Sequence, residues 1–503
     1  VDREKTDGKD TVNPTSEPQP GVEASSWATD LYIAGQWREG KHGRRAPVLD
    51  PATEEQLGTY AIAEPEDIAA AAEAARQAMP HLAALGALGR SQVLRRAAAW
   101  LRTRRDSIAA ILTTEQGKPL REARIEVEGG AELLEWFAEE ARRTYGKIIP
   151  ARQPGVRQLV LREPVGPVAA FAPWNFPISQ LARKVGPALA AGCSLVVKPA
   201  EETPHSAACF FQAFAAAGTP DGALNLVLGD PAQISNDLIQ HPAIRKISFT
   251  GSVPVGKKLA AQAGTSMKRA TMELGGHAPV IVTAQADLGR AVAELGRAKF
   301  RNAGQVCVSP TRFLVEGAIY DRFLREMVAY AAALRVGNGR EEGTDMGPLA
   351  TERRRDAVEA LIADAIACGG RVAHGGSRLG TRGYFLAPTI IDGATPDMRA
   401  MNEEPFGPVA LIMRVGSLEA AITEANRLPY GLAAYAYCGA EEQDHIASRV
   451  ETGMLTINQL GLALPETPFG GIKDSGYGSE GGAEALEGYL TPRFVSMATR
   501  VPA

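Results

Sequence analysis

Three side chains in this sequence have settings in which they could do chemistry. Cys307 lies in Arg301-Asn302-Ala303-Gly304-Gln305-Val306-Cys307-Val308-Ser309-Pro310, a polar, glycine-containing run. A thiolate nucleophile needs access and nearby dipoles, and this run offers both. A lone cysteine is more often a small buried hydrophobe, and Cys193, within the apolar stretch 190–197, fits that role better. Glu273 precedes Gly275-Gly276 and could serve as a base that activates water, if its proton affinity is tunable. Its plainer reading is a surface glutamate on a loop. Asn175 stands between Pro173-Trp174 and Phe176-Pro177, where a side-chain amide could be fixed as an oxyanion donor. Its plainer reading is a turn former.

Two nucleotide signatures fail on inspection. The run 251–258, Gly-Ser-Val-Pro-Val-Gly-Lys-Lys, nearly spells a P-loop, but Lys258 replaces the hydroxyl that would hold Mg²⁺. The run 476–481 spells GxGxxG, but residues 469–475 before it read as loop, not strand. The segment 246–250 followed by Gly251-Ser252 still reads as a strand entering a helix, where free N–H groups could meet a phosphate.

Composition narrows the class. The chain has 503 residues, 54 Lys and Arg against 58 Asp and Glu, and a formal net charge of −4. No basic excess is available for a nucleic acid. Five cysteines without a CxxC pair point to a reduced, cytoplasmic protein, and seven scattered histidines offer no metal-ligand spacing. No stretch suits a membrane helix, and the first residues contain no apolar signal segment.

The elements that must position these residues follow from periodicity. Residues 1–29 are rich in charge, Pro, Ser and Thr and read as a flexible tail. Four helical stretches follow, over 65–79, around 94–101, around 108–112 and over 121–145. Segments 148–152 and 157–162 flank Pro154-Gly155 as a hairpin. From residue 166, short apolar runs at 168–172, 195–197, 224–228, 247–250 and 280–282 alternate with helices. That rhythm predicts a parallel sheet covered on both faces. A second α/β set follows at 313–315, 385–391, 409–415, 432–438 and 454–457.

Each signal is weak alone, but their order is informative. Pro173-Trp174-Asn175-Phe176-Pro177, Lys198-Pro199-Ala200-Glu201, Phe249-Thr250-Gly251-Ser252, Glu273-Leu274-Gly275-Gly276, Gly304-Gln305-Val306-Cys307 and Glu404-Pro405-Phe406-Gly407-Pro408 together resemble the NAD(P)-dependent aldehyde dehydrogenase superfamily. The resemblance spans about residues 30–500. It implies an α/β fold with a Rossmann-type NAD-binding domain over 30–147 and 166–274. It also implies a catalytic domain over 275–476 and oligomerisation segments at 148–165 and 489–503, and so a homodimer or homotetramer.

The resemblance also implies roles. Cys307 would attack an aldehyde, Asn175 would hold the oxyanion and Glu273 would activate water against the resulting thioester. Trp174, Lys198, Glu201, Gly251, Ser252, Glu404 and Phe406 would bind the cofactor. A carboxylate at Glu201 favours NAD, with NADP the alternative. Arg183 and Arg301 match arginines that bind the distal carboxylate in succinic semialdehyde dehydrogenases, so succinic semialdehyde is the expected substrate. Glutaric or 2-oxoglutaric semialdehyde, or a broad aldehyde range, are alternatives. The sequence departs from that branch at Ser309, where some members have a second cysteine, and at Ala463-Leu464, where some have a serine pair. Rival classes are a CoA-acylating relative, disfavoured by the presence of Glu273, a non-catalytic paralogue, disfavoured by Cys307 and Glu273 together, and an NTPase.

Overall fold

A computed structural model describes residues 27–498. The tail expected over 1–29 therefore falls outside the described residues up to 26. Its last three residues are not tail: Trp27–Thr29 is a strand paired in parallel with Gln56–Ala61, and the Trp27 ring packs 4.9 Å from the His205 ring.

The first large sheet has eight strands, and its centre is the parallel set Arg269–Leu274, Lys246–Gly251, Val168–Phe171, Leu195–Lys198 and Leu224–Leu226, in that spatial order. Val168–Phe171, Leu195–Lys198 and Leu224–Leu226 are buried along their whole length, as expected of strands covered on both faces. Helices Pro177–Ala191 and Pro204–Ala216 contribute to the same core. Two features differ from the expectation. The strand Arg269–Leu274, which carries Glu273, begins exposed and polar, so no apolar run marks it. The run at 280–282 belongs to the second sheet, where Pro279–Val282 pairs with Arg312–Glu316 and Ala433–Tyr437. Apolar strands of the two sheets look alike in sequence; only pairing separates them.

The second sheet has seven strands and its own hydrophobic core. One return crosses between the units: Gly476–Tyr477 pairs antiparallel with Met272 and Glu273 of the first sheet. Residues 485–490 also pack into the first core. The third sheet is the predicted hairpin, Lys147–Ile149 and Val156–Pro164, extended by Leu490–Ala498. It exposes Ile148 and Phe494. Among the described residues no helix is long and apolar enough to cross a membrane, and all five cysteines are unpaired.

Candidate active site

The loop bearing Cys307 is built by an unusual backbone. Helix Leu288–Phe300 ends, and Asn302, Ala303 and Gly304 then take successive left-handed conformations, with φ of 48°, 51° and 71°. For Asn302 and Ala303 this costs about 1–2 kcal/mol each. Gly304 admits no side chain, since a Cβ there would stand 2.1 Å from the Gly407 carbonyl oxygen. Gln305 secures the turn: its side chain donates to the Asn302 carbonyl at 3.0 Å and accepts the Ala350 N–H at 2.8 Å. The Tyr435 hydroxyl donates to the Val308 carbonyl at 2.6 Å. Cys307 is held between these anchors and left partly exposed.

Asn175 follows the strand Val168–Phe171 and precedes helix Pro177–Ala191. Its amide donates to the Gln305 carbonyl at 3.0 Å, two residues from Cys307, while its Oδ1 is buried without a partner. The Asn175 carbonyl accepts from Lys118 Nζ at 2.7 Å and from the Asn302 amide at 3.0 Å. Lys118 is fully buried and paired with Glu126, which in turn accepts the Ile178 N–H at 2.9 Å. A buried ion pair thus ties helix Leu120–Glu140 to the segment that aims Asn175.

Glu273 is buried, and both carboxylate oxygens lack a hydrogen-bond partner. Burial, followed by the neighbouring Glu480 carboxylate, raises its pKa well above the ordinary range, while Lys184 and Arg183 act in the opposite sense. A loop-surface glutamate is therefore not what the fold makes of it. Cys307 is likewise pushed up to about 12, by burial and then by Glu404 and Glu273, with Arg183 opposing.

Sequence reasoning passed over Lys184 and Glu480. The two form a buried ion pair, and Lys184 Nζ also reaches Thr250 Oγ1 at 2.7 Å while Ser248 Oγ donates to Glu480 at 2.9 Å. Glu480 lies inside the 476–481 glycine run. Gly476 and Gly478 have φ of 116° and 92°, and a Cβ on Gly476 would stand 1.8 Å from the Met272 carbonyl oxygen. The glycines of that run let it cross the strand that carries Glu273 and deliver a second carboxylate beside it. That failed motif was the available signal.

A cavity of about 560 Å³ brings together Cys307, Asn175, Glu273, Gly251, Ser252 and Glu404, with Trp174 and Phe406 also on its wall. The Trp174 and Phe406 rings meet edge to face at 5.6 Å. Ser252 occupies the N-cap of helix Val253–Thr265 but makes no side-chain cap. The Val253 and Val255 N–H groups of that helix are therefore available to a phosphate, while Pro254 between them has none. Gly275 leaves room for Glu404: a Cβ there would lie 2.4 Å from a Glu404 oxygen. Glu404 is raised to about 8 by burial, opposed by the Gly276 N–H and by Arg354 and Lys299. These features suit a dinucleotide. Lys198 and Glu201 do not line this cavity; they form an ion pair with each other at the end of strand Leu195–Lys198.

The two expected substrate arginines differ in kind. Arg183 is buried, with its outer nitrogens donating to the carbonyls of Glu480 at 3.1 Å and Ala463 at 2.9 Å, and its guanidinium 4.3 Å over the Phe469 ring. Arg301 is exposed, and its guanidinium lies 4.9 Å over the Phe176 ring.

Residues 37–495 match the aldehyde dehydrogenase family. The chain is 48% identical to the 4-(hydroxymethyl)benzenesulfonate dehydrogenase of Comamonas testosteroni over 93% of this chain and 97% of that protein. It is 40% identical to a glutarate-semialdehyde dehydrogenase of Pseudomonas putida, over 94% of this chain and 98% of that one. The crystal structure of succinate-semialdehyde dehydrogenase from Burkholderia pseudomallei superposes with a TM-score of 0.92 at 42% identity, covering 93% and 98% of the two chains. This chain belongs to the aldehyde dehydrogenase family, and is an NAD(P)-dependent oxidoreductase with that fold.

Proposed function

We propose that the enzyme oxidises an aldehyde bearing a remote anionic group to the corresponding acid, with succinic semialdehyde as the type substrate. The convergence of Cys307, Asn175 and Glu273 on one cavity carries the chemical part of this reading. Cys307 gives its proton to solvent water and its sulfur attacks the aldehyde carbon. The Asn175 amide and the Cys307 N–H hold the oxyanion of the thiohemiacetal. Bound NAD(P) supplies the hydride acceptor for the oxidation, which leaves a thioester on Cys307. Glu273 takes a proton from water as that water attacks the thioester, releasing the acid and the thiol. The eight-stranded unit, with Gly251 and Ser252 at a helix start, is the dinucleotide-binding domain, and the seven-stranded unit is the catalytic one. Glu404 and the Trp174–Phe406 pair bound the nicotinamide end, and Lys198 and Glu201 take the adenosine ribose, with NAD preferred.

The remote anion is supported by the relatives, whose names carry either a carboxylate or a sulfonate away from the reacting carbon. The 48%-identical relative favours a second reading, in which the anion is carried on a benzene ring. Arg301, with no carboxylate within ion-pair distance, is the guanidinium best able to meet either anion; Arg183 would first have to give up two backbone acceptors. The exposed three-stranded sheet, with Ile148 and Phe494 on its surface, supports a homodimer or homotetramer. The reduced cysteines fit a cytoplasmic setting. The deciding experiment is NAD(P)H formation over aldehydes of graded length, each with and without a terminal anion, using Cys307→Ala as the dead control. Equal efficiency on charged and neutral aldehydes of one length would refute the remote-anion reading.

A further inference from the structure

Lys118, Lys184, Lys246 and Lys299 are almost wholly withdrawn from solvent, each less than 2% exposed. The first three are matched: Lys118 pairs with Glu126, Lys184 with Glu480, and Lys246 Nζ meets Thr271 Oγ1 at 2.5 Å. Lys299 is not, since among the described residues its Nζ has no hydrogen-bond partner. It stands on helix Leu288–Phe300 in line with Leu288, Val292 and Leu295, on the buried stripe of that helix. A buried ammonium without a contacting counter-charge is costly, and a methionine of similar length would fill the same space without that cost.

Three segments meet around it. The close pass of Gly304 over the Gly407 carbonyl brings the end of the helix against residues 400–407. The His277 ring, 2.9 Å from the Ala400 carbonyl, brings residues 275–277 to the same place. Two titratable groups there feel the Lys299 charge, His277 and Glu404. His277 has its other ring nitrogen 2.7 Å from Thr311 Oγ1, so neither nitrogen is left for Lys299. Glu404 is the carboxylate that acts on Lys299, and it faces the cofactor cavity. Arg354 flanks it on the wall of that cavity; Lys299, which does not line the cavity, acts from the protein interior.

We infer that Lys299 is a positioning residue for the cofactor: its buried ammonium holds Glu404 as a carboxylate able to accept the nicotinamide ribose hydroxyls, while it touches neither cofactor nor substrate itself. The inference rests on the reading of Glu404 given above and adds the group that keeps it ionised. Burial drives the Glu404 carboxyl up to about 8 even with Lys299 opposing, and without that opposition it would rise further. A protonated Glu404 would forfeit its charge-assisted bonds to the ribose. The lysine, itself lowered to about 7 by burial, carries its charge below that pH and loses it above. The other groups facing the pair do not titrate in this range: Arg354 stays a cation, Tyr430 is raised above its ordinary range, Cys307 is pushed up to about 12, and His277 is held well below its usual value. The effect of Lys299 is therefore greatest below neutral pH and absent well above it.

The test is titration with NAD, and with ADP, which lacks the nicotinamide ribose. It is run at about pH 6.5 and about pH 9.5 on wild type, Lys299→Met, Lys299→Gln, Glu404→Gln and the double variant Lys299→Met with Glu404→Gln. Both lysine variants should bind NAD about five- to twentyfold more weakly at the lower pH and within about twofold of wild type at the higher. ADP affinity should be unchanged at both, and urea unfolding should find Lys299→Met no less stable than wild type. In the Glu404→Gln background Lys299→Met should cost nothing further. An equal loss for NAD and ADP, a loss of the same size at both pH values, or an undiminished loss in the Glu404→Gln background would overturn the role and leave Lys299 a packing residue. Failure of the underlying reading would show differently, as NAD affinity in Glu404→Gln equal to wild type, which would remove Glu404 from the ribose.

Discussion

Replacing Asn175 with Ala should separate the two halves of the reaction. In the resting enzyme the Asn175 amide donates to the Gln305 carbonyl at 3.0 Å, and that acceptor keeps a second, longer contact from the Asn302 amide at 3.4 Å. The substitution therefore leaves no newly orphaned backbone group, and the stability loss should stay near ~1 kcal/mol. The oxyanion is a different matter. It forms only after attack by Cys307, so a donor aimed at it stabilises the transition state more than the bound aldehyde. Loss of one such donor is worth about 3–4 kcal/mol, or roughly 10²–10³ in kcat. The assay is rapid-mixing measurement of NAD(P)H formation at saturating aldehyde, with urea unfolding as the control for stability. Acylation should become limiting, so any pre-steady-state burst should vanish while the urea midpoint barely changes. A kcat within threefold of wild type would refute the oxyanion assignment. So would a large loss of activity matched by an equally large loss of stability, since that would make Asn175 a structural brace.

Further outcomes concern Glu273, Glu480, Glu201 and Lys118. Glu273→Gln should stall after hydride transfer, giving one equivalent of NAD(P)H and an acyl-enzyme visible by intact-mass spectrometry; absence of both would argue against its role as base. Because burial raises the Glu273 carboxyl, its base form appears only as pH rises through that elevated pKa, so wild-type thioester hydrolysis should accelerate with pH above the ordinary carboxylate range. Glu480 contributes to that elevation, so Glu480→Gln should move the rising limb to lower pH, and an unmoved or upward-shifted limb would count against the coupling. Glu201→Gln should improve NADP efficiency relative to NAD, although Lys198 already neutralises part of the Glu201 charge; an unchanged ratio would show that Glu201 does not read the ribose. Lys118→Met should cost about 3–5 kcal/mol in urea unfolding by leaving Glu126 buried and unpaired, and Lys118→Met combined with Glu126→Gln should recover part of that loss. A loss below ~1 kcal/mol would mean that the pair does not hold the Asn175 segment.

What was legible in the sequence was the local chemistry, and what was hidden was its long-range wiring. Cys307, Asn175 and Glu273 could be picked out because each lies in a short run whose composition is odd for a core or a helix. The strand under Glu273 could not, because Arg269 and Ala270 open it without burial and its apolar residues are too few to form a run. Lys184 and Glu480 were hidden for another reason: they are 296 residues apart, and neither has a local pattern that predicts the other. Glycine spacing at 476–481 spells a phosphate-loop pattern that its setting already excluded, but nothing local showed its physical requirement, a close pass over the Met272 carbonyl.

The arginines show how far such wiring alters function. The family resemblance makes Arg183 and Arg301 an equivalent pair near the thiol. In the fold, Arg183 is spent on carbonyls 280 and 297 residues away, so it braces the 463 and 480 loops against helix Pro177–Ala191. Its positive charge still opposes the elevation of both Glu273 and Cys307. Arg183→Met should therefore impair charged and neutral aldehydes alike, by loosening Glu480 and by leaving Cys307 a weaker acid. Arg301→Met should impair the charged aldehyde selectively. Paired kinetics on succinic semialdehyde and butanal measure the difference. If Arg183→Met spared butanal while losing tenfold or more on the semialdehyde, its guanidinium would have to exchange backbone acceptors for substrate, and the division drawn between the two arginines would fail.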